Sequence, residues 1–144
     1  MTATQSKSIM AFDFGTQKMG MAIGQIESAN PLPLFVMKDG IPNWDQLLKI
    51  VKEWQPDLFI VGLPLNMDDS ESELSTRARK FARRLRHQTN IETWMVDERL
   101  TTREAREELG FYQEQGRAKK LSADSFAAAL LIQSWYRNPV GLTP

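Results

Sequence analysis

Residues 57–65, DLFIVGLPL, are an almost unbroken apolar run between Pro56 and the polar stretch that follows Leu65. A strand with one wet face alternates apolar and polar residues, whereas a run of this kind belongs to a strand covered on both faces. The chain is therefore committed to a sheet with helices on either side, an α/β architecture. A sequence of 144 residues has length for one such domain, with residues 1–7 and 138–144 as tails.

The text before that run is strand-like. IMAFDFG, MGMAIGQI and LPLFVMK are separated by Gly15, Gly24 and Asn30-Pro31, and three strands joined by short connections pair as an antiparallel meander. Helical period follows. Asn43 is placed to cap a helix with apolar positions Trp44, Leu47, Leu48, Val51 and Trp54, which Pro56 ends. Ser70 with Glu73 reads as a capping box for a second helix carrying the stripe Leu74, Ala78, Phe81 and Leu85. IETWMV is a fifth strand, Thr101 with Glu104 a second box, and residues 110–120 an irregular, mobile loop. The last helix, from Ser122 to Arg137, is apolar on nearly every side and should be buried against the sheet. The predicted fold is a mixed five-stranded sheet with flanking helices. Strands one to three form the meander, and right-handed crossovers make strands one, four and five parallel. The C-terminal ends of those parallel strands share one edge, the usual place for chemistry in such folds.

Two acids fall on that edge: Asp13 near the end of strand one and Glu98 just past strand five. Asp97, on the opposite alternation parity, is expected to bind backbone or Arg99, while the longer arm of Glu98 reaches inward. Asp124, in the first turn of the final helix, shares a face with Ala128, Leu131 and Trp135. A carboxylate there gains from the helix dipole, yet an apolar face makes it costly without compensation. Three converging acids raise one another's pKa, and a hard divalent cation removes the conflict. Mg²⁺ or Mn²⁺, in a pair of sites, would make this a clamp for attack on a phosphodiester. The residues alone leave that metal reading beside one of surface caps and salt bridges.

DFGTQKMGMA, VGLPLNMDDS, VDERLTTREA and KKLSADSFAAALLI resemble, in order and spacing, the motifs of the YqgF family, also called RuvX, of ribonuclease H-like proteins. The resemblance runs from Ile9 to Trp135. It implies a three-layer ribonuclease H-like fold and a nuclease that processes the 5′ end of precursor 16S ribosomal RNA. Its acidic, metal-binding site falls on Asp13, Glu98 and Asp124. Two residues depart from the family's pattern: Gln17 stands where a Lys is common, with Lys18 next door, and Asp69 stands where the family has Gly. A junction resolvase acting on DNA, or a non-catalytic ribosome-associated factor, would use the same fold.

Basic and acidic residues balance at 18 each, so nucleic-acid binding has to come from local patches. Arg99 and Arg103 flank Glu98, and Arg117, Lys119 and Lys120 precede Asp124; with Lys18, these are the expected nucleic-acid contacts. RARKFARRLRH, residues 77–87, is a further basic face with few acids. His87 ends that helix and reads as a dipole contact, and the tryptophans read as core. No cysteine is present, which excludes disulfides, thiolate zinc and cysteine nucleophiles. MTATQSKSIM lacks an apolar leader and no later run is long enough to span a membrane. The expectation is a cytoplasmic protein, monomeric or weakly dimeric, with precursor ribosomal RNA and ribosomal particles as partners and no membrane.

Overall fold

The computed structural model describes residues 7–25, 28–100 and 123–144. Its sheet contains β1 (Ile9–Asp13), β2 (Lys18–Gln25), β3 (Ser28–Lys38), β4 (Ile41–Pro42), β5 (Leu58–Leu63) and β6 (Glu92–Asp97), in the order β4-β3-β2-β1-β5-β6. β1, β2 and β3 form the antiparallel meander, and β1, β5 and β6 run parallel. The helices are α1 (Trp44–Trp54), α2 (Glu73–Thr89) and α3 (Ala123–Arg137).

The sixth strand, β4, is a two-residue piece that the strand count of five missed. The sequence carries its signal, Asp39-Gly40, and both residues have positive φ, 49° and 76°. That is what a two-residue hairpin with the right twist demands. Asn30-Pro31, expected to break the chain, lies inside β3 instead. Among the described residues most of β3 has no outer strand neighbour, since β4 pairs only with Met37 and Lys38. A proline that cannot donate to a ladder is tolerated on such an edge.

α1 begins and ends as its sequence requires. The Asn43 side chain accepts from the Gln46 N–H at 3.1 Å, and Gln55 closes the helix in the left-handed region before Pro56. α2 starts two residues later than expected, capped by Ser72 with Ser75 completing the reciprocal box. Ser70 is diverted: its hydroxyl donates to Asp68, and Asn66 donates to it.

Alternation along β1 sorts the core into two layers. Met10 and Phe12 pack with Leu47, Val51, Ala78, Phe81 and Leu85 of α1 and α2. Ile9 and Ala11 pack with Ile60, Val96, Ala128, Leu131 and Ile132 on the α3 side. All six residues of β5 are buried, as the apolar run requires, and each large side chain so buried contributes about 1.5–3 kcal/mol. Three tryptophans pack against these layers, whereas Trp54 is 43% exposed. Leu142 exchanges two 2.8 Å backbone hydrogen bonds with Met95 and so covers part of the free edge of β6. Among the described residues no helix is long and apolar enough to cross a membrane.

Candidate active site

Parity sets the site. Asp13 continues the Ile9, Ala11 series toward α3, and Glu98, in the 3-10 turn after β6, continues the Val96 series toward the same face. Asp97 follows Met95 to the opposite face. Two adjacent carboxylates thus have different surroundings.

Two glycines let the acids converge. Gly20 is the register partner of Asp13, and a Cβ there would overlap the Asp124 carbonyl and lie 2.7 Å from the Ser125 nitrogen. Its bare backbone allows the first turn of α3 to rest on the sheet. Gly62 of β5 does the same for Glu98: a Cβ would stand 2.6 Å from Oε1 and 2.9 Å from Cγ. Neither glycine drew notice in the sequence, where both look like ordinary strand interruptions. Gly within a strand is nevertheless the mark of a close approach.

Asp13 and Glu98 are hydrogen-bonded to each other. Burial pushes the Asp13 carboxyl up to about 8, and Glu98 and then Asp124 add to the rise. Burial also raises Glu98, as do the charges of Asp97 and Asp124, while the hydrogen bond with Asp13 opposes them. Two carboxyls in this relation share one proton. Asp124 stands close enough to act on both, and Lys18 Nζ lies 3.9 Å from its Oδ2. Among the described residues no three acids or histidines are gathered into a ready-made metal shell. The donors at the Asp13–Glu98 pair are all carboxylate oxygens, which suits a hard cation taking one or two carboxylates and completing its shell elsewhere.

Arg99 works on the other face. Its Nε donates to both Asp97 oxygens at 3.0 and 3.2 Å, one terminal nitrogen reaches the Asn66 carbonyl at 3.0 Å, and the other reaches Asp69 at 2.6 Å. These bonds hold Asp97 below the usual carboxylate range. The expected Asp97–Arg99 pairing is thus present. Asp69 has φ 69°, a left-handed position that accounts for a glycine in the family pattern, and here its carboxylate serves as an acceptor for Arg99. Arg103, Arg117, Lys119 and Lys120 lie outside the described residues.

The structure superposes on two solved junction resolvases. Thermus thermophilus RuvC, solved with a Holliday junction substrate, superposes with a TM-score of 0.59 at 12% identity, over 91% of this chain and 95% of that one. The fowlpox virus Holliday junction resolvase gives 0.53 at 13% identity over 92% and 99%. The fold is therefore that of the ribonuclease H-like resolvases. Within that class the chain belongs to the RuvX family, whose model, described as "Holliday junction resolvase", matches residues 7–138. A protein of Acinetobacter baylyi named "Putative pre-16S rRNA nuclease" is 83% identical over 138 residues, 94% of each chain. One of the same name from Haemophilus ducreyi is 50% identical over 133 residues, 91% of this chain and 96% of that one.

Proposed function

We propose that this protein is a metal-dependent nuclease that hydrolyses phosphodiester bonds in RNA, acting in the cytoplasm on the 5′ end of precursor 16S ribosomal RNA. The observation that carries the reading is the Asp13–Glu98 pair, hydrogen-bonded and half-buried at the sheet edge with both carboxyls raised by burial, and with Asp124 beside it. A scaffold has no use for mutually repelling acids in a desolvated place, and perturbed carboxyls in such a setting mark functional sites.

Asp13 and Glu98, once relieved of the shared proton, are the proposed ligands for Mg²⁺ or Mn²⁺, with Asp124 as the third acid. What the cation supplies when bound is charge for the attacking water and for the leaving oxygen. The chain's own residues do the rest. Gly20 and Gly62 hold the acids in register, and their withdrawal from bulk water strengthens each electrostatic contact. Lys18 stands against Asp124; were that carboxylate engaged as a ligand, the Lys18 ammonium would be free for a phosphate oxygen. Arg103, Arg117, Lys119 and Lys120 adjoin Glu98 and Asp124 in sequence and are proposed to track the strand's backbone, with Arg99 bracing the turn behind Glu98. The two relatives named for precursor RNA are far more similar to this chain than the two junction resolvases, which favours RNA over DNA junctions.

The test is cleavage of a precursor 16S RNA fragment beside a four-way DNA junction, each with Mg²⁺ or Mn²⁺, using Asp13→Asn as control. RNA cleavage that the substitution abolishes is the expected result. Preferential cutting of the junction would transfer the assignment to DNA, and absence of cleavage above the control for either substrate would end the nuclease reading.

A further inference from the structure

The basic stretch of α2 divides into residues with different duties. Arg79 is consumed structurally: it forks onto Glu71 at 2.8 and 2.9 Å and reaches the Thr143 carbonyl at 2.6 Å. Arg77, Lys80 and Arg84 instead face a cavity of about 210 Å³ between α2, the β3–β4 turn and the start of α1, and among the described residues no acid lines it. Arg77 is held in place. Its guanidinium lies on the bare backbone of Gly40, where a Cβ would be 2.9 Å from Cζ, and it donates to the Asp39 carbonyl. The Asp39 carboxylate meets it only at 3.5 Å and is 89% exposed. Arg84 is stacked over the Trp44 ring at 4.7 Å, which orients its planar fork. Neither Lys80 nor Arg84 has an ion-pair partner among the described residues.

The cavity also belongs to the edge that carries the acids. The Gly40 N–H donates to the Thr16 carbonyl at 2.7 Å and the Met37 N–H to the Gln17 carbonyl at 2.8 Å. The β3–β4 turn is thereby tied to the β1–β2 turn that follows Asp13. Beneath it, Phe14 packs on Phe81 at 5.5 Å and Phe81 on Trp44 at 5.8 Å. A rigid aromatic series thus joins the residue after Asp13 to the cavity wall.

We propose that this cavity is a second phosphate site, which grips the backbone of the RNA strand after it crosses the sheet edge from the acids over the β1–β2 turn. Three cations around one small cavity, one with a held guanidinium and one with a stacked fork, are suited to phosphate oxygens, and such contacts set the position of a strand without reading its sequence. The site would position the substrate and take no part in bond cleavage.

The proposal rests on the reading of the chain as a nucleic-acid enzyme. Its test is binding of a fluorescein-labelled precursor 16S RNA fragment by fluorescence anisotropy across a KCl series, in the Asp13→Asn background to prevent cleavage. Adding Lys80→Gln with Arg84→Gln should weaken binding at low salt and lower the log–log salt slope by about 1.4, at ~0.7 per single-strand contact. Lys49→Gln with Lys52→Gln, on the exposed side of α1, removes the same charge and should leave the slope almost unaltered. Since Trp44 Nε1 is buried without a hydrogen-bond partner among the described residues, its indole N–H resonance should shift on adding RNA to the Asp13→Asn protein, and stay put in the triple variant. An unaltered slope, an equal loss in the α1 control, or a silent Trp44 resonance with RNA bound overturns the second site alone. If the protein with Lys80 and Arg84 intact does not bind the RNA at all, the nucleic-acid reading falls and takes this site with it.

Discussion

Replacing Asp13 by asparagine should stabilise the protein, and increasingly so as pH rises. A carboxyl whose folded pKa is raised holds its proton more tightly in the native state. Its contribution is therefore fully present below the ordinary value of 3.8 and is lost as pH climbs toward about 8. Between pH 5 and pH 9 that loss spans roughly 3 of the 4 units, and at ~1.4 kcal/mol per unit the ceiling is about 4 kcal/mol. The Asp13 carboxyl keeps some contact with water and shares its proton with Glu98, whose own ionisation persists in the variant, so about 2 kcal/mol is the expected relative gain. Asparagine keeps the shape and can still donate to Glu98. For a chain of this size that gain corresponds to a rise of about 6–8 °C in Tm over the parent between pH 5 and pH 9. Circular-dichroism melts of both proteins at the two pH values, in EDTA, measure it. Repeating them in Mg²⁺ should raise the parent's Tm and leave the variant's unmoved, because a ligand stabilises only the state that binds it. A variant that melts lower than the parent at pH 9, or a gap that does not change with pH, would show that Asp13 is a structural cap and refute the reasoning.

Gly20→Ala drives a Cβ into the backbone of Asp124 and Ser125, which cannot swing aside, so it should cost about 1–3 kcal/mol and cut RNA cleavage more than tenfold, as melts and gel assays would read. Gly62→Ala meets mainly the end of the Glu98 side chain, which can move; Tm should change little while cleavage falls by a similar factor. Arg99→Lys loses the fork that joins Asp97, Asn66 and Asp69, so the 64–72 connection should become more sensitive to limited proteolysis and Tm should drop.

Much of the site was legible because strand alternation is a local rule. Once Ile9 and Ala11 face one layer, Asp13 faces it too, and the same count along β6 separates Glu98 from Asp97. The misread features turn on partners that spacing alone does not reveal. Ser70 and Ser72 are equally good caps as text, and only the competing Asp68 and Asn66 bonds assign the helix start to Ser72. Asn30-Pro31 looks like a break unless the strand is known to lie on an edge. In the α2 stretch, six basic residues are indistinguishable by spacing. Glu71, just before the helix, with Thr143 and Asp39 from distant segments, decides which are consumed and which face the cavity.

What the sequence by itself determined is the layered architecture, the parallel strands with their shared edge, and the placement of Asp13 and Glu98 on it, since period and crossover hand depend on residues close in the chain. The sequence marked Asp124 as a third acid, and only the tertiary structure decided how a residue more than a hundred positions beyond Asp13 comes down beside the pair. That approach depends on the missing side chain at Gly20, as the seating of Glu98 depends on the one at Gly62. An absent Cβ has no partner written beside it in the sequence; what it admits is known only when the helix is seen resting there.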